Sequence, residues 1–210
     1  MMIIEPKKNC NICLRLSNFR KENIIKYPNY YNKPVISFGS LSSELLIVGL
    51  APGIHGANKT GRPFTGDHAG ILLYNTLIKF KFAIGSYNSE KLDTLQLNNC
   101  RITNAVKCVP PKNKPEPVEA NNCRTFLKKE ITNMQNLKVI VSLGVIAHNS
   151  IINCFGLRLK DFKFSHGKSH KINRALRLQN SYHCSRYNTN TKRLSTSMFE
   201  DVFRKIELSL

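Results

Sequence analysis

The sequence predicts an α/β sandwich built on a mainly parallel sheet, on three observations. Short apolar runs rich in β-branched residues recur at 45–49, 101–106 and 137–143, with a weaker strand at 176–182. Segments with apolar residues at helical spacing, or with helix-opening residues, lie between them. The chain has 210 residues of which 41% are apolar, enough to bury a real core in one domain spanning 1–210. Strands that alternate with helices pair in parallel, because each crossover helix carries the chain back to the same end of the sheet.

The first run, LLIVG at 45–49, is bounded by a loop and reads as a buried strand. The segment 70–82, GILLYNTLIKFKF, places Leu73, Leu77 and Phe80 on one helical face. After the strand at 101–106, Pro115 and Pro117 open a helix that runs to about Ile131, since proline is tolerated in a first turn. The clearest strand is LKVIVSL at 137–143, from which Gly144 turns the chain into a helix over 145–153. The strand at 176–182 delivers His183 to its end. Ser197 and Glu200 form a capping box for a last helix towards Glu207. In such sheets ligands sit beyond the carboxyl ends of the strands, so the loops after Gly49, around Asn104 and from His183 onward are expected to share one site.

Charge narrows the partners. Lys and Arg total 32 against 13 acidic residues, a net charge of +19 spread along the chain. A lysine-rich codon bias explains extra Lys but not the scarcity of Asp and Glu, so the field points to a polyanion, most simply nucleic acid. No segment approaches the roughly eighteen apolar residues of a membrane span. The start, MMIIEPKKNC, lacks the apolar core and cleavage site of a signal peptide, and a cytoplasmic protein is expected.

The loop at 46–67, LIVGLAPGIHGANKTGRPFTGD, looks at first like a phosphate cradle. A Walker loop needs Lys directly after its second glycine, whereas Gly56 is followed by Ala57 and Asn58 before Lys59. Gly49, Gly53 and Gly56 also miss the G-x-G-x-x-G spacing. The mononucleotide reading fails, although the glycines still imply close backbone approach to a ligand. Cys10 and Cys13 form a C-x-x-C pair, and fourteen residues separate Cys108 from Cys123. Without a secretory signal, these cysteines suggest a metal or a cluster rather than disulfides. Spacing alone leaves zinc and iron–sulfur open.

The loop GLAPGIHGANKTGRPFTGDHAG closely resembles the first motif of the uracil-DNA glycosylase superfamily, in particular the iron–sulfur family 5 (type b) enzymes. The likeness extends to CNICLRLSNFR, ITNAVKCVPPKNKPEP, VIVSLGVIAH and SYHCSRYNTNTKRLS, in the same order. It implies a three-layer α/β/α fold and a base-excision-repair enzyme that flips a deaminated base (uracil, with hypoxanthine or xanthine as further substrates) out of DNA and hydrolyses its N-glycosidic bond. A non-catalytic protein that binds damaged bases or nucleic acid is the alternative.

The resemblance implies roles for particular residues. Asp67 orients water or stabilises the positive sugar; read alone, it is an N-cap for the helix that follows. Its role gains weight because Gly49, Leu50, Ala51, Pro52 and Gly53 offer no polar side chain. His183 donates to the base carbonyl, and Asn104 bonds the base edge or the water. Phe64 stacks on the base, with Gly49, Ala51, Pro52, Gly53, His55 and Gly66 around it. Lys59, Arg62, Ser185 and Arg186 are candidate phosphate contacts, and Tyr187 a wedge into the duplex. Cys184 stands where the family most often has proline. Cys10, Cys13, Cys108 and Cys123 match the ligands of a [4Fe–4S] cluster. The partner is DNA carrying uracil or another deaminated base, and a monomer is expected.

Overall fold

Four of the apolar runs become the middle of one twisted sheet. The computed structural model describes residues 5–208 and Leu210. In chain order it forms α1 (Leu14–Lys26), β1 (Phe38–Gly39), β2 (Leu45–Gly49), the single turn α2 (Ala57–Thr60), α3 (His68–Lys79), β3 (Ala83–Ile84) and β4 (Gln96–Leu97). There follow β5 (Cys100–Asn104), α4 (Pro117–Asn133), β6 (Val139–Leu143), α5 (Val145–Cys154), β7 (Ser169–Lys171), β8 (Arg177–Ser181), α6 (Arg186–Asn190) and α7 (Thr196–Glu207).

The sheet order is β1-β5-β2-β6-β8-β7, with the four inner strands parallel and the two short edge strands antiparallel. Alternate residues of β2 face opposite layers, as a pleated strand requires. Leu45 and Ile47 pack with Leu73, Leu77, Phe199 and Phe203 of α3 and α7. Leu46 and Val48 pack with Leu127, Ile131, Ala147 and Ile151 of α4 and α5. The three-layer α/β/α sandwich is therefore in place. Each fully buried aliphatic side chain contributes about 1.5–3 kcal/mol relative to exposure.

The registers are set by caps and turns. α4 starts where the prolines predict, with Pro117 in its first turn and a reciprocal capping box between Glu116 and Glu119. α3 begins two residues before the expected start because Asp67 caps it, its Oδ1 accepting from the Gly70 N–H at 3.1 Å. At α7 the expected box is corrected. The cap is Ser195, whose Oγ accepts from the Met198 N–H at 3.1 Å, and Ser197 already lies in the first turn. Glu200 turns instead to Lys79 of α3, at 2.6 Å.

The connections fix where a ligand can sit. From β2 the chain crosses to β5 through α3 on one face, and from β5 it returns past β2 to β6 through α4 on the other. The loops after β2 and β6 thus diverge to opposite layers and leave a crevice between them.

Candidate active site and cysteine cluster

The crevice is a cavity of about 760 Å³ at the carboxyl ends of β2, β6 and β8, within the size range of small-molecule sites. Its wall comes from three loops: Leu50, Ala51, Gly53, Gly66 and Asp67 after β2; Leu143 to Ile146 after β6; and His183, Ser185, Arg186, Tyr187, Asn188 and Arg193 after β8. Asn113, from the segment after β5, completes it.

Asp67 stands between the cavity and the glycine loop. One oxygen caps α3. The other, Oδ2, lies so close to Gly56 that a Cβ there would come within 2.7 Å of it, whereas a Cβ on Gly53 would stay 3.6 Å away. Glycine at 56 is therefore a steric requirement of the carboxylate. Burial pushes the Asp67 carboxyl above the usual carboxylate range, partly offset by N–H groups of Gly70 and Ala69.

His183 is held from behind. The side-chain amide of Asn188 donates to its carbonyl oxygen at 2.8 Å, and the ring stacks 5.9 Å from Phe64 at 28°. Burial alone holds its imidazole down at about 4, so it is neutral at physiological pH. A neutral imidazole keeps one N–H to donate. His68, at the start of α3, contacts Thr189 Oγ1 at 3.2 Å and ties α6 to the loop after β2.

Of the expected residues, Ala51, Gly53, Gly66, Asp67, His183, Ser185, Arg186 and Tyr187 line the cavity together. Tyr187 is 71% exposed at the mouth. Others lie behind the wall. Asn104 is buried at the end of β5 with its amide against Gly49, where a Cβ would come within 2.4 Å of Oδ1. Phe64 is buried against the same glycine, one face towards His183. Pro52 is buried too. His55 is exposed and joins Tyr27 and Tyr30 in an aromatic cluster, with Nδ1 3.1 Å from the Tyr30 hydroxyl.

Two basic residues depart from expectation. Arg62 is not a surface contact: it is 6% exposed, pairs with buried Asp93 at 2.5 Å, and lies near the rings of Phe38, Tyr74 and Tyr87. Its charge stabilises the loop internally and holds the Asp93 carboxyl below its usual range. Lys59 is engaged with Glu90 at 2.7 Å. The reading from sequence missed Asn113 and the apolar lip of Val145 and Ile146. The signal for both was present: each follows the end of an inner parallel strand, the position that faces a crevice.

The four expected cysteines also converge. Cys10, Cys13, Cys108 and Cys123 line one small cavity between α1, α4 and the segment after β5. All four are free thiols. Burial pushes Cys108 up to about 11 and Cys123 up to about 12. Among the described residues no group of three or more His, Cys, Asp or Glu is arranged to hold a metal ion; the thiols rim a shared space instead. Their surroundings fit an anionic centre, since an Arg20 guanidinium N–H donates to Cys108 Sγ at 2.9 Å and the Asn122 amide to Cys13 Sγ at 3.4 Å.

Comparison with known proteins shows the family. The model of the Uracil DNA glycosylase superfamily matches residues 36–207. The chain is similar to the Type-5 uracil-DNA glycosylase of Thermus thermophilus, 40% identical over 200 residues that cover 92% of this chain and 90% of that protein. It is similar to the Type-5 uracil-DNA glycosylase of Pyrobaculum aerophilum at 35% identity, covering 94% and 87%. To the Type-4 uracil-DNA glycosylase of Archaeoglobus fulgidus it is 31% identical, covering 78% and 73%.

Proposed function

The chain belongs to the uracil-DNA glycosylase superfamily, and from that premise we propose that the cavity receives a uracil extruded from DNA and that its wall cleaves the N-glycosidic bond. The observation that carries the reading is the joint presence of Asp67 and His183 on one wall, a carboxylate and a neutral imidazole. Extrusion costs a few kcal/mol and is cheapest at a mispair, so uracil opposite guanine is the favoured substrate; the larger deaminated purines extend the range, for which the cavity of about 760 Å³ leaves room. The net charge of +19 supplies the attraction to the phosphate backbone.

In this reading the glycosidic bond breaks with its electron pair going to the base. His183 donates an N–H to the base carbonyl oxygen as negative charge builds there, which a neutral imidazole does without adding a mobile proton. Asp67 faces the positive sugar and orients a water for attack at C1′; that water's hydroxyl goes to the sugar and its proton leaves through the carboxylate. Asn113 takes the base-contacting role that sequence assigned to Asn104, because it lines the wall and, unlike Asn188, is not engaged with the His183 carbonyl. Phe64 acts through His183, supporting the ring from behind. Arg186 and Arg193 at the rim meet phosphates, and Tyr187 fills the space the base leaves.

Cys10, Cys13, Cys108 and Cys123 are read as ligands of a [4Fe–4S] cluster, which ties the N-terminal segment to α4 and shapes that surface. Iron and acid-labile sulfide in anaerobically purified protein test this; zinc alone refutes it. Among the described residues no helix is long and apolar enough to cross a membrane.

The deciding experiment is Asp67→Asn. The amide oxygen still accepts from the Gly70 N–H and preserves the cap. Excision of uracil from duplex oligonucleotide is expected to fall at least 100-fold while the melting temperature stays within a few degrees. A variant that keeps its rate makes Asp67 a cap alone and overturns the assignment.

A further inference from the structure

Three arginines are buried among the described residues, and one of them stands apart. Arg62 is paired with Asp93 and Arg101 with Glu130, each buried cation beside a carboxylate. Arg20, on the inner face of α1, is 6% exposed, and its hydrogen bonds go to a sulfur and a carbonyl. Nη1 donates to Cys108 Sγ at 2.9 Å and Nη2 to the Cys10 carbonyl at 2.5 Å. Among the described residues no carboxylate pairs with it. A buried guanidinium is costly without an anion, and a neutral thiol, a weak acceptor, returns little of that cost. An anionic centre bound among these sulfurs would supply the missing counter-charge.

We propose that Arg20 is the charge-compensating and positioning residue of the four-cysteine centre. The inference rests on the cluster reading above and adds a role to a residue outside the ligand set. Four thiolates outweigh the positive charge of an iron–sulfur core, so the ligated centre is an anion, and Arg20 is the cation buried against it. Its two N–H groups also join Cys108, 88 residues further along the chain, to the carbonyl of Cys10, linking the two halves of the ligand set. The Asn122 amide at Cys13 Sγ and the backbone N–H of Lys107 towards Cys123 are neutral donors that complete the shell. Hydrogen bonds and positive charge at the sulfurs favour the more reduced, more negative state, so Arg20 raises the reduction potential and slows loss of the cluster.

The test compares Arg20→Met, Arg20→Lys and Asn122→Ala with the parent protein, all purified anaerobically. Iron and sulfide per chain, the half-life of the visible cluster absorbance in air, and the midpoint potential are measured; none depends on uracil excision. Arg20→Met removes charge and fork while keeping most of the volume. It is expected to shorten the half-life tenfold or more and to lower the potential, as outer-shell changes commonly weaken metal sites 10–100-fold. Arg20→Lys keeps the charge without the fork, so it retains most of the potential and loses part of the lifetime. Asn122→Ala shifts the potential less than Arg20→Met. An Arg20→Met protein with the parental half-life and potential overturns the proposal. So does an Asn122→Ala shift as large, because neutral hydrogen bonding then accounts for the effect. Should Arg20→Met not fold, Arg20→Lys with a potential as low as a charge loss gives refutes charge compensation. Parent protein without iron and sulfide refutes the cluster itself; loaded parent with an indifferent Arg20 refutes only this assignment.

Discussion

Gly56→Ala is a one-methyl change aimed at Asp67 without touching it. A Cβ at 56 would stand 2.7 Å from Asp67 Oδ2 and 3.2 Å from both Cβ and Cγ of that residue, where ordinary contact begins at 3.4 Å. Relieving 2.7 Å to 3.4 Å means moving the carboxylate by about 0.7 Å, or the glycine loop by as much. The carboxylate has little freedom to yield, because Oδ1 is held at 3.1 Å by the Gly70 N–H and losing that cap costs about 1 kcal/mol. A displacement approaching 1 Å in a positioned group costs up to about 100-fold in rate, or about 2.7 kcal/mol of barrier. Single-turnover excision of uracil from a duplex oligonucleotide is therefore expected to slow between 10- and 100-fold in Gly56→Ala, while the melting temperature falls by only a few degrees. Gly53→Ala is the comparison, since its Cβ would sit at 3.6 Å from the same oxygen. It lines the cavity, so its effect belongs in substrate affinity and not in the single-turnover rate. A Gly56→Ala protein within twofold of the parent rate refutes the claim that Asp67 must stand where it does.

Other consequences follow from the same geometry. Because burial holds His183 near 4, below its unfolded value of about 6.5, the unfolded state takes up the proton first and stability falls as pH drops from 6.5 to 4, by up to roughly 3 kcal/mol. Thermal unfolding across that range is expected to flatten in His183→Ala, and an NMR titration of the imidazole with a midpoint near 6.5 refutes it. Arg62→Met removes the guanidinium from Asp93, which keeps the Asn88 N–H, and is expected to cost about 1.5–3 kcal/mol in urea unfolding. The salt dependence of DNA binding should be unchanged by Arg62→Met, and a shallower salt slope restores Arg62 as a phosphate contact. Asn113→Ala is expected to slow uracil excision at least tenfold with little loss of stability, whereas Asn104→Ala lowers stability first; a stable Asn104→Ala with a large rate loss reverses their roles.

What sequence revealed, and what it concealed, follows from the range of the forces involved. β2 and β6 were legible because a strand buried on both faces is apolar along most of its length, and that needs no knowledge of partners. The cap of α7 misread by two residues because Ser195 and Ser197 both suit an N-cap, and only the tertiary pull of Lys79 on Glu200 separates them. Arg62 was misjudged for a similar reason: its partner Asp93 lies 31 residues away, and nothing local distinguishes a paired arginine from a solvated one. The site shows the same contrast. Asp67 and His183 end up on one wall because each follows an inner parallel strand, a topological consequence that the alternation of elements already contains. Choosing between Asn104 and Asn113 requires more. Asn104 is the last residue of β5 and turns inward against Gly49, a contact possible only because that residue has no side chain. Gly49 thus draws Asn104 out of the wall, and an amide nine residues further along, Asn113, lines the cavity instead.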